Sequence, residues 1–256
     1  MRNFLLSCIT SILVSFSIVS GYSLYQPTIQ YHKTDFLEEL VETSCVVYHL
    51  GGHGSGTLVT RRLKIDGVEK DYNFVITCGH IVDQLVVDGV MDDSFLFGKI
   101  VNYKGGELGQ ERTFKLKVLK FSDRFNKDIA ILLAEEEVTN KSPKFSLTRP
   151  KVGEEVWHLG APMDRELISS ILHGHISAIT RVNIQEYEQI QCGVIGGCSG
   201  GGVFNARGEF IGMAARTLGE SYGFMVPVRI IRSWLKEEGM GWILEGECPE
   251  NLEDCL

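Results

Sequence analysis

From Ser44 onward the chain is built of short apolar runs, each bounded by Gly, Asp or Asn. The first group reads CVVYHL, GTLVT, FVITCG, FLFGKIV, TFKLKVL and DIAILLA. Runs of this length, rich in Val and Ile and closed by turn residues, read as strands. A second group follows residue 150: EEVWHLG, ISSILHGHISAI, VFN, EFIGMAA and GFMVPV. Between them, residues 140–153 contain Lys141, Ser142, Pro143, Pro150 and Gly153, a composition that interrupts both groups and reads as a connector. The chain must therefore fold as two all-β halves, 44–140 and 153–227, each burying a face of its strands, and a two-barrel domain satisfies that requirement.

One clear helix signal comes late. Pro227 is followed by VRIIRSWLKEEG, where Val228, Ile231, Trp234 and Leu235 share a face and Gly239 can end the helix, so a helix is expected over 228–238. A weaker signal, FLEELVET, ends a linker over 22–43, and the tail over 239–256 reads as irregular.

The 256 residues can bury a substantial core, and 28 glycines beside 6 prolines suit a fold of many turns and close backbone approaches. The net charge is −8 and no Lys/Arg block exists, which argues against nucleic acid as a partner. Arg2, an apolar stretch diluted by hydroxyls, and the small residues Val19-Ser20-Gly21 read as a cleaved secretory signal over 1–21. The alternative is a membrane anchor over 4–20, a short length for a span. Either way the expected setting is exported, periplasmic or secreted, where disulfides form. Removing Cys8 leaves six cysteines. Cys248 and Cys255 bracket the polar loop PENLED and can pair, whereas Cys45, Cys78, Cys192 and Cys198 read as buried free thiols. No CxxC pair points to a zinc cage.

Three segments carry candidate chemistry. In GVIGGCSGGGVFN, residues 193–205, Ser199 sits among glycines. A serine nucleophile needs a base for its proton and backbone N–H groups aimed at the oxyanion it creates. Glycines allow such a backbone turn, which makes Gly197, Cys198 and Ser199 a candidate oxyanion loop, although a tight turn alone explains the same segment. In FVITCGHIVD, residues 74–83, a β-branched strand ends in small residues before His80. In NKDIAILLA, residues 126–134, Asp128 opens an apolar strand. Singly, His80 reads as a structural strand-end residue and Asp128 as a turn residue. Jointly, with His80 and Asp128 in the first half and Ser199 in the second, they follow the order of a triad lying in the seam of two barrels.

These segments resemble the trypsin-like, chymotrypsin-fold serine peptidases, and most of all the HtrA/Deg-like branch. GSGTLVT (54–60) resembles the strand entering the first barrel, ITCGH (76–80) the histidine motif and KDIAIL (127–132) the aspartate motif. VGEEVWHLGAP and SSILHGHISAI (152–179) resemble the opening strands of the second barrel. GGCSGGGVFNARGEFIGM (196–213) resembles the nucleophile motif with its hairpin, and GFMVPV (223–228) the strand before the last helix. The resemblance covers roughly residues 44–238 and implies two six-stranded Greek-key β-barrels with a C-terminal α-helix. Two positions depart from it: Cys198 stands where this branch has Asn, and Gly202 where Pro is common. About 18 residues follow the helix, too few for the PDZ module that this branch carries.

The resemblance implies a serine endopeptidase acting on polypeptides without metal or cofactor, with His80 as base, Asp128 orienting it and Ser199 as nucleophile. Cys198 is a rival nucleophile, but Ser199 puts Gly200-Gly201 and Val203-Phe204 in the family's places. By the same resemblance the pocket for the residue before the cut is lined by Gly193, Val194, Ile195, Ala215, Arg216, Thr217, Gly223 and Met225. No aspartate lies at its base, so small or aliphatic residues are expected there rather than Arg or Lys. Arg216 either lines the pocket mouth, contacts substrate carboxylates, or is a solvated strand residue. Substrate backbone is expected to pair with residues 215–217 as an added strand. The alternative function is a catalytically silent, protease-like module that binds peptides. His49 with His53, and His173 with His175, lack an acid or thiol at ligand spacing, so no metal site is expected. GGHGSG (51–56) leads into a strand and lacks a GK[ST] ending, so it reads as a turn rather than a phosphate loop. The oligomeric state is not legible.

Overall fold

The computed structural model describes residues 35–65, 68–104, 107–182, 185–219 and 222–245. The expected signal or anchor over 1–21 and the Cys248–Cys255 pair lie outside the described residues. Helix α1 (Asp35–Val41) precedes a first set of strands: β1 (Ser44–His49), β2 (Gly52–Ile65), β3 (Val68–Thr77), β6 (Phe97–Lys104), β7 (Glu107–Ser122) and β8 (Ile129–Ala134). They close into a barrel in the order β1-β2-β3-β8-β7-β6. Between β3 and β6 lie the short helix α2 (Gly79–Val82) and a small ribbon of β4 (Val86–Val87) and β5 (Val90–Met91).

The second set comprises β9 (Lys144–Phe145), β10 (Glu155–Gly160), β11 (Ser170–Val182), β12 (Gln185–Gln191), β13 (Gly202–Asn205), β14 (Glu209–Leu218) and β15 (Tyr222–Pro227). Their order is β13-β10-β11-β12-β15-β14-β9, and an extra β13–β14 pairing curls six of them into a second ring with β9 outside it. Helix α3 (Val228–Glu237) follows. The fold is the all-β chymotrypsin-like architecture that the resemblance implied.

The strand runs were apolar without alternation for a physical reason. The barrel-end half of β3, including Phe74, Val75 and Ile76, is buried on both faces. One cover is the C-terminal segment. Val228, Ile231, Trp234 and Leu235 are the buried residues of α3, and a 3-10 turn over Gly241–Ile243 follows with Trp242 and Ile243 buried. The Trp242 ring meets Phe74 edge-on at 5.4 Å, and Arg61 Nε donates to Trp242 O at 2.9 Å. The segment that looked irregular in sequence thus packs as a brace, and three residues of 3-10 turn are too few to show a period.

Trp242→Ala removes the ring that seals Phe74 and is expected to cost about 3 kcal/mol or more of stability, read as a lowered urea midpoint with an unchanged slope.

Candidate active site

Strand β3 ends at Thr77, and Cys78 caps α2, which places His80 in its first turn. A Cβ on Gly79 would lie 1.9 Å from Ser122 O, so the β7 backbone admits only glycine before the histidine. Asp128 sits at the far end of a turn that starts at Ser122. Asn126 N and Asp128 N both donate to Asp123 O, at 3.1 and 3.0 Å, and Phe125 N donates to Asp123 Oδ1 at 2.7 Å. Asp128 has φ +57, a left-handed conformation that aspartate tolerates better than most residues. Its side chain is fully buried. Oδ1 accepts from His80 N at 3.0 Å, and His80 Nδ1 lies 3.0 Å from Oδ1 and 3.1 Å from Oδ2. A carboxylate only accepts, so the Nδ1 position carries the proton and the ring is held with Nε2 as its free acceptor.

Ser199 reaches the same place from the second barrel. Residues 195–198 form a turn closed by Cys198 N to Ile195 O at 3.1 Å, with Gly197 in its third position at φ +89, the type II geometry. Gly196 O accepts from Met163 N at 2.6 Å. Because a trans peptide points its C=O and N–H in opposite directions, Gly197 N–H faces away from Met163. Among the described residues, neither Gly197 N–H nor Ser199 N–H has an acceptor, whereas Cys198 N–H is used up inside the turn. Ser199 Oγ donates to Ala215 O at 3.3 Å and makes no hydrogen bond to His80.

His80, Asp128 and Ser199 line one cavity of about 350 Å³. Of the expected pocket residues, Val194, Ile195, Ala215, Arg216 and Thr217 line it too. Gly193, Gly223 and Met225 do not: Met225 is buried with Cys198 and Ala214 in the second barrel's core, and Gly223 abuts Val194, whose Cβ would sit 2.8 Å from an added methyl. Arg124 and Gly196 complete the lining. Arg124 stands four residues before Asp128 in a turn, where no periodicity or motif marks it.

Three buried thiols surround the site. Burial pushes Cys198 above the ordinary thiol value, and raises Cys192 to about 12 with help from Cys198. Cys78 is raised further, by burial first and by the charge of Asp128 second, and its Sγ donates to Ala214 O at 3.3 Å. Cys78 Sγ, a His80 ring nitrogen and an Asp128 oxygen lie within 4.8 Å of one another. That spacing would suit a metal ion, but a ligand thiol must be deprotonated, and here burial opposes it while a guanidinium, Arg216 Nε, already stands 4.0 Å from Asp128 Oδ2. The trio is better described as a His80–Asp128 hydrogen-bonded pair with the Cys78 thiol packed beside it.

Residues 54–213, more than half of the chain, match the trypsin-like peptidase domain, and the protein belongs to that family. The fold is shared with solved structures of low identity. An inactive form of Rv3671c from M. tuberculosis H37Rv is 16% identical, covering 84% of this chain and 95% of that one, with a TM-score of 0.61. A serine endoprotease from Yersinia pestis is 20% identical, covering 80% and 65% of the two chains, at 0.59. Deg5 is 18% identical, covering 78% and 90%, at 0.57. No curated protein matches the sequence.

Beneath the serine loop lies His158, fully buried, with Nδ1 3.2 Å from Gly202 O. Gly160 and Gly201 leave room for its ring, since added methyl groups would lie 2.8 and 2.5 Å from it. Burial lowers its pKa from 6.5 to about 4. In that window the unfolded chain binds a proton that the folded chain refuses. Stability is therefore complete above about 6.5 and lost as pH falls toward about 4. The urea midpoint is expected to fall across this range, and His158→Gln to flatten the fall, by up to about 3 kcal/mol over the whole window.

Proposed function

We propose that the protein is a serine endopeptidase that works through His80, Asp128 and Ser199. The observation that carries this reading is the convergence of the three on one cavity, with the His80 ring fixed through Nδ1 on a buried carboxylate. In this mechanism Ser199 Oγ turns from Ala215 O to His80 as substrate binds, a contact that commonly tightens only in the reacting complex. His80 Nε2 takes the hydroxyl proton while Oγ attacks the peptide carbonyl, then gives it to the leaving amine; water hydrolyses the acyl-enzyme by the reverse proton route. Gly197 N–H and Ser199 N–H stabilise the oxyanion, a pair of donors worth on the order of 3 kcal/mol each in such sites. The type II turn over residues 195–198 supports a loop already shaped for that task.

The apolar wall of Val194, Ile195 and Ala215 supports small or aliphatic residues before the cut. The second reading, a silent peptide-binding module, draws on one observation: Ser199 Oγ is engaged with Ala215 O rather than with His80. The export proposed for the chain rests on residues 1–21 alone.

A fluorophosphonate probe is expected to label the wild type and Cys198→Ala but not Ser199→Ala; labelling that follows Cys198 instead would reverse the nucleophile. Wild type should hydrolyse unfolded casein and Ser199→Ala should not, and casein left intact by both would favour the silent module.

Among short chromogenic peptides, those with Val, Ala or Leu before the cut are expected to show kcat/KM at least about tenfold above an Arg peptide. Faster cleavage after Arg would refute the apolar pocket.

A further inference from the structure

The Asp128 carboxylate is fully buried, and among the described residues every hydrogen bond it receives comes from His80. Cys78 does not contribute, because its Sγ donates to Ala214 O. A buried carboxylate with one partner residue is poorly compensated. The further compensation is a guanidinium: Arg216 Nε lies 4.0 Å from Asp128 Oδ2, outside hydrogen-bond range but within ion-pair range.

Arg216 is placed there by the backbone. In the β14–β15 pairing Ala214 faces Met225 and Arg216 faces Phe224, so Ala215 is an extra, bulged residue. A bulge re-aims the side chain beside it, and Arg216 lines the cleft with its side chain half-buried. Its guanidinium lies 5.4 Å from the centre of the buried Tyr187 ring, and its Nη2 donates to Arg124 O, in the turn that presents Asp128. One planar group therefore stacks on the second barrel, holds the first barrel's 123–128 turn and faces the carboxylate. A lysine ammonium cannot make all three contacts.

We propose that Arg216 is a positioning residue for the Ser-His-Asp triad, bridging the barrel seam to hold Asp128 in place. This rests on the endopeptidase reading above. The guanidinium steadies the Asp128 turn, so removing it should loosen the geometry, which lowers kcat.

The test compares wild type, Ser199→Ala, Arg216→Ala and Arg216→Lys, with near-UV circular dichroism to check folding. Arg216→Ala is expected to lose about tenfold to a hundredfold in kcat, with KM changed less than about threefold. Arg216→Lys should recover part of the kcat, and it serves as the working variant should Arg216→Ala fail to fold. A readout independent of turnover is the low-field proton resonance of the His80–Asp128 hydrogen bond, expected to broaden or move in Arg216→Ala. An unchanged kcat and resonance would overturn the proposal. So would a rise in KM confined to peptides carrying acidic side chains, which would make Arg216 a substrate contact only. If Ser199→Ala hydrolyses as well as wild type, the endopeptidase reading fails, and the resonance still decides whether Arg216 holds Asp128.

Discussion

Ser55 Oγ donates to Gly197 O at 2.7 Å and accepts from Ala161 N at 2.8 Å. Its own N–H donates to Ser199 O at 2.7 Å, and its carbonyl accepts from Thr77 Oγ1 at 2.7 Å. A single buried residue of the first barrel thus uses every polar group it has at the seam, and three of the four bonds grip the second barrel. The two bonds to Gly197 and Ser199 carbonyls bracket Cys198 and fix the loop on either side of it. Because the residue is buried, losing either side of such a bond leaves an unpaired group at a cost of about 1–3 kcal/mol. The GSG pattern around it follows from space. A methyl on Gly54 would meet Ile81 Cδ1 at 2.2 Å, and one on Gly56 would meet Val75 Cγ1 at 2.4 Å.

The orientation of the Gly196–Gly197 peptide depends on this clamp and on one further bond, Met163 N to Gly196 O. Met163 itself has φ +62, an unfavourable conformation for a side chain of its size. Backbone strain of about 1–3 kcal/mol persists only where surrounding contacts hold it, and here its product is an amide that directs the next N–H away from Met163. The loop's shape is therefore enforced from both barrels: by Ser55 from the first and by the β10–β11 connection, through Ala161 and Met163, from the second.

Much of this was legible in the sequence, and the parts that were not share a cause. The β-branched runs and the apolar face of Val228, Ile231, Trp234 and Leu235 are local patterns, and local patterns survive into the fold. The small residue before His80 was visible as a motif, although the reason for it, the nearby Ser122 carbonyl, was not. What escaped depends on register. The bulge at Ala215 offsets β14 against β15 by one residue, and a one-residue offset exchanges which side chains face the core and which face the cleft. Arg216, past the bulge, is delivered to Asp128, while Met225, expected in the pocket, packs with its partner Ala214 in the core. Arg124 has no sequence signal because its contribution, a backbone carbonyl in a turn, is independent of its side-chain type.

The same logic bears on the neighbouring thiol and hydroxyl. On intrinsic reactivity Cys198 would outrank Ser199, since a thiolate is the better nucleophile. Position along the chain does not separate them; the face of the loop does. Gly197 and Gly200, at φ +89 and +87, take conformations that L side chains rarely adopt. Between them Cys198 is turned inward to pack with Cys192, Val194 and Met225, while Ser199 is turned out to the cavity. Burial then holds the Cys198 thiol protonated, and an uncharged, enclosed thiol neither attacks nor is reached. Two flanking glycines and one core thus leave the Ser199 hydroxyl, and not the Cys198 thiol, facing the cavity that His80 and Asp128 line from across the seam.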